Sequence, residues 1–223
     1  MNTSMTNSAR LLWAGLRALL VLTVVAGIVY PLVITVIAQG LFHGKANGSE
    51  TEADGEVVGS LLIGQSYDLP LKEGQETPDP DLKWFQGRPA NGLGTNSVNT
   101  RYELLLSGAT NRSADDDEEL VQWVKDAKAA VVKDNSVPGH TVDPSDVPAD
   151  AVTSSGSGLD PHISPEYADI QVHRIAEKNG LSVERVQRLV DEHTESRTLG
   201  FIGEPRVNVL RLNIALEELV AES

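Results

Sequence analysis

The chain has 223 residues, a formal net charge of −14 at pH 7 and no cysteine. The charge is distributed unevenly, because the first 42 residues carry two arginines and no acidic side chain, whereas the remainder carries 16 basic and 32 acidic side chains. Such acidity argues against nucleic acid as a partner, since it repels phosphate, and the lack of cysteine excludes a disulfide framework and thiolate metal sites.

The first predicted element is a transmembrane helix at Ala18–Ala38, where 21 consecutive residues carry no charge. At 1.5 Å rise per residue, this length matches a hydrocarbon core of roughly 30 Å. Arg10 and Arg17 precede the span and acidic residues follow it, so we expect the N-terminus in the cytoplasm and the bulk of the chain outside. A signal peptide cleaved before Gln39 is the alternative. Its apolar region would exceed the about 7–15 residues of such peptides, which favours a retained anchor.

A stripe of small residues runs along this helix: Thr23, Gly27, Pro31 and Thr35 are spaced by four and lie on one slowly drifting face. Small residues on such a stripe allow a second helix to approach closely. Pro31 removes a backbone hydrogen bond, which predicts a kink near Gly27. A plain lipid-facing anchor is an equally open interpretation, because Gly and Pro are common in membrane helices.

The predicted organisation is a cytoplasmic N-terminus at residues 1–17, the membrane helix at 18–38, a flexible tether at 39–56 and one extracytoplasmic domain at 57–223. The tether is rich in Gly, Glu, Asn and Thr and has no apolar period. The domain is long enough to bury its own core. The predicted fold class is α+β, with an α/β-mixed domain whose C-terminal half is helical.

The first half of this domain contains short apolar runs separated by polar loops. Val57–Leu69 has the apolar, β-branched composition of one or two strands, and Lys72–Asp81 is an acidic, proline-bearing loop. Trp84 and Phe85 are expected in the core. The next stretches are a polar loop and a short apolar run that pattern alone assigns to neither strand nor helix, at Asn91–Thr100 and Tyr102–Leu106.

Helices are predicted through the second half. The acidic run Asp115–Glu119 suits the positive end of the helix that follows it, and it lacks the spaced carboxylates and glycine of a calcium loop. Ser164 and Gly180 bound a further helix as N-cap and terminator, and Ser182 caps the next. A last helix is expected over Val207–Val220, with Asn208 as its cap. The expected inward-facing residues of the two middle helices are Ala168, Val172, Ile175, Ala176, Val183, Val186, Leu189 and Val190.

Polar clusters were weighed for catalysis and ligand binding. The segment around Ser154, Ser155 and Ser157 has Asp160 and His162 beside it, which is the residue inventory of a hydrolase triad, but no GxSxG elbow occurs. The Gly156–Gly158 turn lacks the rest of a phosphate-binding GxxxxGK[ST] loop, and the five histidines form no HExxH pattern that would predict zinc. These patterns favour a hydrogen-bonded loop leading into a capped helix, with no catalytic or metal residue.

Five segments together carry a resemblance that extends over nearly the whole chain after Leu11. They are YPL at Tyr30–Leu32, GSLLIGQ at Gly59–Gln65, WFQGRP at Trp84–Pro89, SGSGLDPHISP at Ser155–Pro165 and LGFIGEPRVNVLRLN at Leu199–Asn213. In these the chain resembles the C subunit of the Kdp-type potassium-transporting P-type ATPase. The two C-terminal motifs are long and specific.

The resemblance implies a non-catalytic subunit that assembles with a channel-like potassium-binding A subunit, the ATP-hydrolysing P-type B subunit and a small membrane peptide, F. It implies a role as a catalytic chaperone that raises the affinity of the B subunit for ATP, with K⁺ as the transported ion. The family's SGGSN element reads SGATN here, at 107–111. Gln65, Ser107 and Gly108 are therefore only weak candidates for contact with a nucleotide.

Topology also bears on the nucleotide. ATP is cytoplasmic, whereas the predicted orientation leaves only the residues before the span on that side, so an effect on ATP affinity is expected to be transmitted through the complex. The alternatives from other classes are a membrane-anchored extracellular hydrolase that uses Ser157, Asp160 and His162, and a surface binding module that functions without membrane partners.

Overall fold

The computed structural model describes residues 3–53, 55–75, 77–89, 107 and 118–223. The chain forms two compact units, residues 1–50 and 51–223. The predicted loop at 91–100, the apolar run at 102–106 and the acidic residues 115–117 lie outside the described residues.

The first unit is a long helix. It consists of α1 (Thr3–Val24), a π-helical segment (Val25–Val29) and α2 (Tyr30–Leu41), followed by the short α3 (His43–Ala46). Over Thr6–Leu41 it is long and apolar enough to cross a membrane, with a mean hydropathy of 2.6 in its most apolar window. The uncharged stretch predicted to span the bilayer lies within this helix, and regular helix continues on its N-terminal side because that flank is rich in Ala, Leu and Arg, all good helix formers.

The π-helical segment lies where the kink was predicted. The amide of Tyr30 donates to the carbonyl of Val25, five residues earlier. Pro31 has no amide proton, and in a regular α-helix its ring would crowd the carbonyl of Gly27. The wider π turn accommodates the proline, and Thr35 Oγ1 donates to the Pro31 carbonyl at 2.8 Å.

This widened turn has a consequence for the small-residue stripe. Along an α-helix of 3.6 residues per turn, a step of four residues overshoots a full turn, so a stripe at this spacing drifts around the helix. A π turn holds more residues, so a step of four overshoots less. The steps through Gly27 therefore hold Thr23 and Pro31 more nearly on one face than an unbroken α-helix would.

The second unit begins with a short two-stranded sheet, which is followed by irregular structure. β1 (Glu50–Ala53) and β2 (Glu56–Ser60) form this sheet, with Gly55 at a φ of +80° in the connection. The segment predicted to be a flexible tether, residues 39–56, contains α3 and β1. The strand expected over Val57–Leu69 is shorter, because the chain turns after Ser60 and then runs without regular structure, apart from a bridge between Asp68 and Pro80.

Helices dominate the second half of the unit, as predicted, and they surround a small antiparallel sheet of order β3-β5-β4. Ile163 and Thr194 both lie opposite Val207. In chain order the elements are α4 (Glu118–Asn135), two 3₁₀ turns (Pro144–Asp146 and Ala149–Ala151), β3 (His162–Ile163), α5 (Pro165–Asn179), α6 (Val183–His193), β4 (Thr194–Glu195), β5 (Arg206–Asn208) and α7 (Val209–Ala221). The mixed α+β class is confirmed.

The predicted N-caps of α5, α6 and α7 are confirmed. Ser164 Oγ accepts from the Tyr167 amide at 3.1 Å, and Gly180 ends α5 with a φ of +67°. Ser182 caps α6, and Asn208 caps α7. The last helix starts at Val209 instead of Val207, because the residues before the cap pair as β5 between β3 and β4.

The hydrophobic core packs α5, α6 and α7 against the sheet and Phe85. The expected inward residues of α5 are almost fully buried, and Phe85 is 0% exposed. Other buried apolar side chains include Val131, Ile163, Val186, Leu189, Val190, Val207, Leu212 and Leu216. The core therefore extends from the irregular first half into every helix from α4 onward.

Phe85 belongs to a segment of irregular backbone that passes through this core, and buried amides hold it. Asn213 of α7, 2% exposed, accepts from the Phe85 amide at 2.9 Å and donates to the Phe85 carbonyl at 3.0 Å. Gln171 of α5, fully buried, makes the same paired contact with Gln86, at 2.7 and 3.1 Å. These two side chains take the place of a neighbouring strand.

Arg174 of α5 completes this clamp, and it is 1% exposed. Its guanidinium donates to the carbonyls of Leu82 and Trp84 and to the side-chain oxygens of Asn135 and Gln171. Burial lowers the pKa of Arg174 to about 10, so it still carries its charge at neutral pH. We call Gln171, Arg174 and Asn213 the polar clamp.

Replacing Asn213 by leucine should destabilise the second unit strongly. Leucine fills the space but leaves the buried amide and carbonyl of Phe85 without partners, at about 1–3 kcal/mol for each group, so the free energy of unfolding should fall by about 2–6 kcal/mol. Glu217→Leu, an exposed position on the same helix, should change it by less than about 0.5 kcal/mol. Urea denaturation of both variants measures the difference, and equal stabilities would contradict the clamp.

Candidate functional site

Three of the sequence motifs converge on one loop, Ser155–Pro161. The amide of Gly64 donates to the Leu159 carbonyl at 2.7 Å. Arg88 donates to the Ser154 carbonyl at 3.2 Å, and the Val209 amide donates to the Pro161 carbonyl at 3.0 Å. The motif loop is therefore fastened to three separate parts of the unit.

A cavity of about 20 Å³ lies where these segments meet, bordered by Gly64, Gln65, Gly87, Arg88, Ser155, Gly158 and Asp160 among others. This volume suits roughly one water molecule. This cavity, as the described residues border it, is too small for a nucleotide or a sugar.

The serines of the loop bond within the loop. Ser155 Oγ accepts from the Asp160 amide at 3.3 Å, Ser157 Oγ accepts from the Leu159 amide at 3.1 Å, and the two hydroxyls lie 3.3 Å apart. His162 Nδ1 lies 3.2 Å from Asp160 Oδ1. Within the part of the chain that the structure describes, neither hydroxyl is hydrogen-bonded to His162. The arrangement needed for the hydrolase alternative, a serine on a histidine, is not assembled there.

Asp160 is the electrostatic centre of the loop. It accepts from the backbone amide of His162 at 3.0 Å and lies 3.6 Å from Arg88. The side-chain hydrogen bond with His162, outweighing partial burial, holds the pKa of Asp160 below its usual value. The carboxylate is therefore ionised at neutral pH and fixes the turn that leads into β3.

The weak nucleotide candidates lie beside the same loop. Gln65 follows Gly64, and its Nε2 donates to the Val58 carbonyl at 2.9 Å. Ser107 Oγ donates to the Ser157 carbonyl at 3.2 Å. Gly108 lies outside the described residues. Both described side chains bond to the chain's own backbone, while their contact with a nucleotide stays a prediction.

The remaining ligand-binding candidates are placed as follows. The amide of Gly158 donates to the Ser155 carbonyl at 3.1 Å and closes a turn, so it does not point toward a phosphate. The rings of His140 and His173 stack with centroids 3.6 Å apart, and His193 contacts the Leu189 carbonyl through Nδ1 at 2.8 Å. Within the described ranges, no group of three or more His, Asp or Glu side chains is arranged to hold a metal ion.

A larger cleft, of about 820 Å³, lies between α4 and the segment 65–89. Asp68 and Asp134 are on its wall, with Arg174 at its base. Partial burial raises the pKa of both carboxyl groups. The cleft is open to solvent, and its described lining includes Arg88 and Arg174 as well as the two aspartates, so its charges are mixed.

Sequence reasoning missed the polar clamp, although a signal was present. Gln171 and Arg174 are interleaved with Ala168, Val172 and Ile175, which were expected to face inward. A polar side chain in such a pattern marks a buried hydrogen-bonding role, because an unpaired polar group is costly in a core.

Comparison with known proteins identifies relatives over nearly the full length. A family model described as "KdpC: K+-transporting ATPase, c chain" matches residues 12–218. The chain is 82% identical to the potassium-transporting ATPase KdpC subunit of Streptomyces coelicolor over 221 residues, 99% of this chain and 98% of that protein. The corresponding subunit of Streptomyces avermitilis is 78% identical over 100% of both chains. That of Mycobacterium tuberculosis is 41% identical over 94% of this chain and 99% of its own length.

The close approach of Gly64 to the motif loop gives a prediction. A Cβ at this position would lie 2.8 Å from the Asp160 carbonyl oxygen, so Gly64→Ala must displace the loop and should lower the free energy of unfolding by about 1–3 kcal/mol. Gly156→Ala is the matched control, because a Cβ there has no heavy atom within 4 Å. Thermal unfolding of both variants tests this, and a Gly64→Ala variant as stable as its control would contradict the packing.

Proposed function

This chain belongs to the family of K⁺-transporting ATPase KdpC subunits, and we propose that it is a non-catalytic accessory subunit that assembles with and stabilises an ATP-driven potassium import complex. Its partners in this proposal are the channel-like potassium-binding A subunit, the ATP-hydrolysing B subunit and the small membrane peptide F. Potassium is the transported ion and is handled by the partners.

The observation that carries this proposal is the exposed apolar helix. None of the most apolar window of Thr6–Leu41 is buried within the chain, so the helix has a full surface available to lipid and to other membrane helices. An anchor alone needs no specific face. The small-residue stripe, held together by the π turn, offers one face on which another helix can approach closely.

We place the N-terminus, residues 1–17, in the cytoplasm, the span at 18–38, a tether at 39–56 and the domain of residues 57–223 outside the cell. Arg10 and Arg17 on one side of the span and the acidic domain on the other support this orientation. The potassium entrance faces the same exterior, where the domain can cover it.

The effect on ATP follows from this placement. ATP is cytoplasmic, and the domain in this orientation is not, so the subunit raises the ATP affinity of the B subunit through coupling between distant sites. Such coupling requires that the subunit contact one conformation of the pump more favourably than another. The backbone contacts made by Gln65 and Ser107 agree with an indirect effect, since neither side chain is held ready for a ligand.

Substitution of Gly27 tests the helix contact. Gly27→Leu places a bulky side chain in the middle of the stripe and should reduce recovery of this chain with an affinity-tagged B subunit from detergent extract, by roughly tenfold if close packing matters. Ala26→Leu adds bulk to the adjacent face of the same π turn and should leave recovery unchanged. Equal recovery of the two variants would contradict a contact through the stripe.

Single-cysteine labelling tests the orientation, because the natural chain has no cysteine. Glu222→Cys, near the end of the domain, should react with a membrane-impermeant maleimide on intact cells. Asn7→Cys should react only after the membrane is permeabilised. The reverse pattern would place the domain in the cytoplasm and remove the argument for an indirect effect on ATP.

A further inference from the structure

The second unit carries an exposed apolar projection between β4 and β5. Leu199 is 79% exposed, Phe201 72% and Ile202 51%, although all three are large apolar side chains. We call these three residues the apolar tip. They are contiguous at the end of one turn, and such a concentration of exposed apolar surface on a folded unit marks an interaction site.

The backbone holds the tip in a defined shape. Thr198 and Ile202 form a bridge, with the Thr198 amide donating to the Ile202 carbonyl at 2.9 Å and the Ile202 amide donating back at 3.0 Å. The Gly200 amide donates to the Arg197 carbonyl at 3.0 Å. Because these backbone groups are already hydrogen-bonded to each other, binding to a partner can bury the tip without leaving backbone donors unpaired. It also avoids the entropic cost of ordering a flexible loop.

Leu199 adopts a conformation that favours projection over local stability. Its φ is +55°, in the left-handed region that bulky side chains rarely occupy. The strain is not compensated by burial, since this is the most exposed side chain of the tip. An apolar residue that is both strained and exposed points to a role outside the unit itself.

The charges at the base of the tip decide the kind of partner. Arg197 pairs with Glu204, and Arg206 and Arg211 both pair with Glu195. In the described part of this segment, each arginine is therefore ion-paired within the chain, although the three arginines share two carboxylates and the five side chains together carry one net positive charge. An anionic bilayer surface attracts apolar segments that are flanked by several free cations. Here the excess is one charge, and residues 51–223 carry 31 acidic against 15 basic side chains, so an anionic surface repels the unit as a whole. The surface suits a protein pocket with an apolar floor and an uncharged or basic rim.

We propose that the apolar tip is a docking anchor that inserts into an apolar pocket on a partner subunit of the transport complex. This inference rests on the proposed function, because it requires that the chain be part of such a complex. Phe201 is the central anchor, since an aromatic ring on a rigid turn buries a large apolar area at little entropic cost. The paired ions around the base form a collar that contacts the rim.

Photo-crosslinking in membranes that contain the assembled complex tests the proposal. Phe201→Cys, labelled with a benzophenone maleimide, should form a light-dependent adduct with another subunit of the complex. Leu71→Cys is the matched control, because Leu71 is similarly exposed, at 58%, but lies outside the tip, and its adduct should be absent or much weaker. An adduct of the tip with lipid or with a second copy of this chain, or no adduct, would overturn the proposal.

A dissociation measurement supplies an independent readout. Phe201→Ser should leave thermal unfolding unchanged and speed the release of this chain from the detergent-solubilised complex by roughly tenfold, because interface anchors act mainly on the dissociation rate. Leu71→Ser should dissociate as the natural chain does. If the natural chain fails to co-purify with the complex, the proposed function falls together with this inference. If all variants remain bound with the same dissociation rate, the inference alone falls.

Discussion

The second unit depends on one arrangement: an irregular strand of chain, Leu82–Arg88, passes through the core and is held there by side chains instead of by a sheet. Buried backbone must find hydrogen-bond partners, and here Gln171, Arg174 and Asn213 provide them. Two of these residues lie on α5 and one on α7, so the same contacts that satisfy the backbone also fix the two helices relative to it. Phe85, fully buried, then occupies the centre that the clamp defines.

The surroundings of Arg174 determine the charge state of the polar clamp. Arg174 is almost fully buried, and its hydrogen-bond acceptors within the described residues are neutral oxygens, of carbonyls and of side-chain amides. Asp134 and Asp81 favour its charged form at longer range, which partly offsets the loss of hydration. Nearby, burial raises the pKa of Tyr167 to about 12. Both groups therefore keep their protonation state through the physiological range.

The sequence predicts features that depend on interactions between residues close together in the chain, and it does not predict features that depend on distant residues. The caps at Ser164, Ser182 and Asn208 are set by residues three positions away, so a local pattern is sufficient to find them. The sequence predicted a kink near Gly27, and the structure has a π turn there; Pro31 indicates a disturbed helix but does not specify how the backbone accommodates the proline. The clamp joins residues separated by 85 to 128 positions, and nothing local to WFQGRP indicates its partners.

The difference between local composition and long-range contacts also explains the polar loop. It has the residue composition of a catalytic site, but its side chains stabilise the fold. Ser155, Ser157, Asp160 and His162 have the composition of a triad, yet their hydrogen bonds close turns and align β3 with the helix that follows. A side chain that already satisfies the backbone is not available to a substrate without cost. Because these polar side chains are hydrogen-bonded within the chain, recognition of other molecules is left to side chains that make few contacts within it. On the second unit, the apolar tip leaves three large apolar side chains in water, one of them, Leu199, at a φ of +55°. In the assembly that we propose, partner subunits cover these exposed apolar side chains, while the polar groups of the loop stabilise the fold of the unit itself.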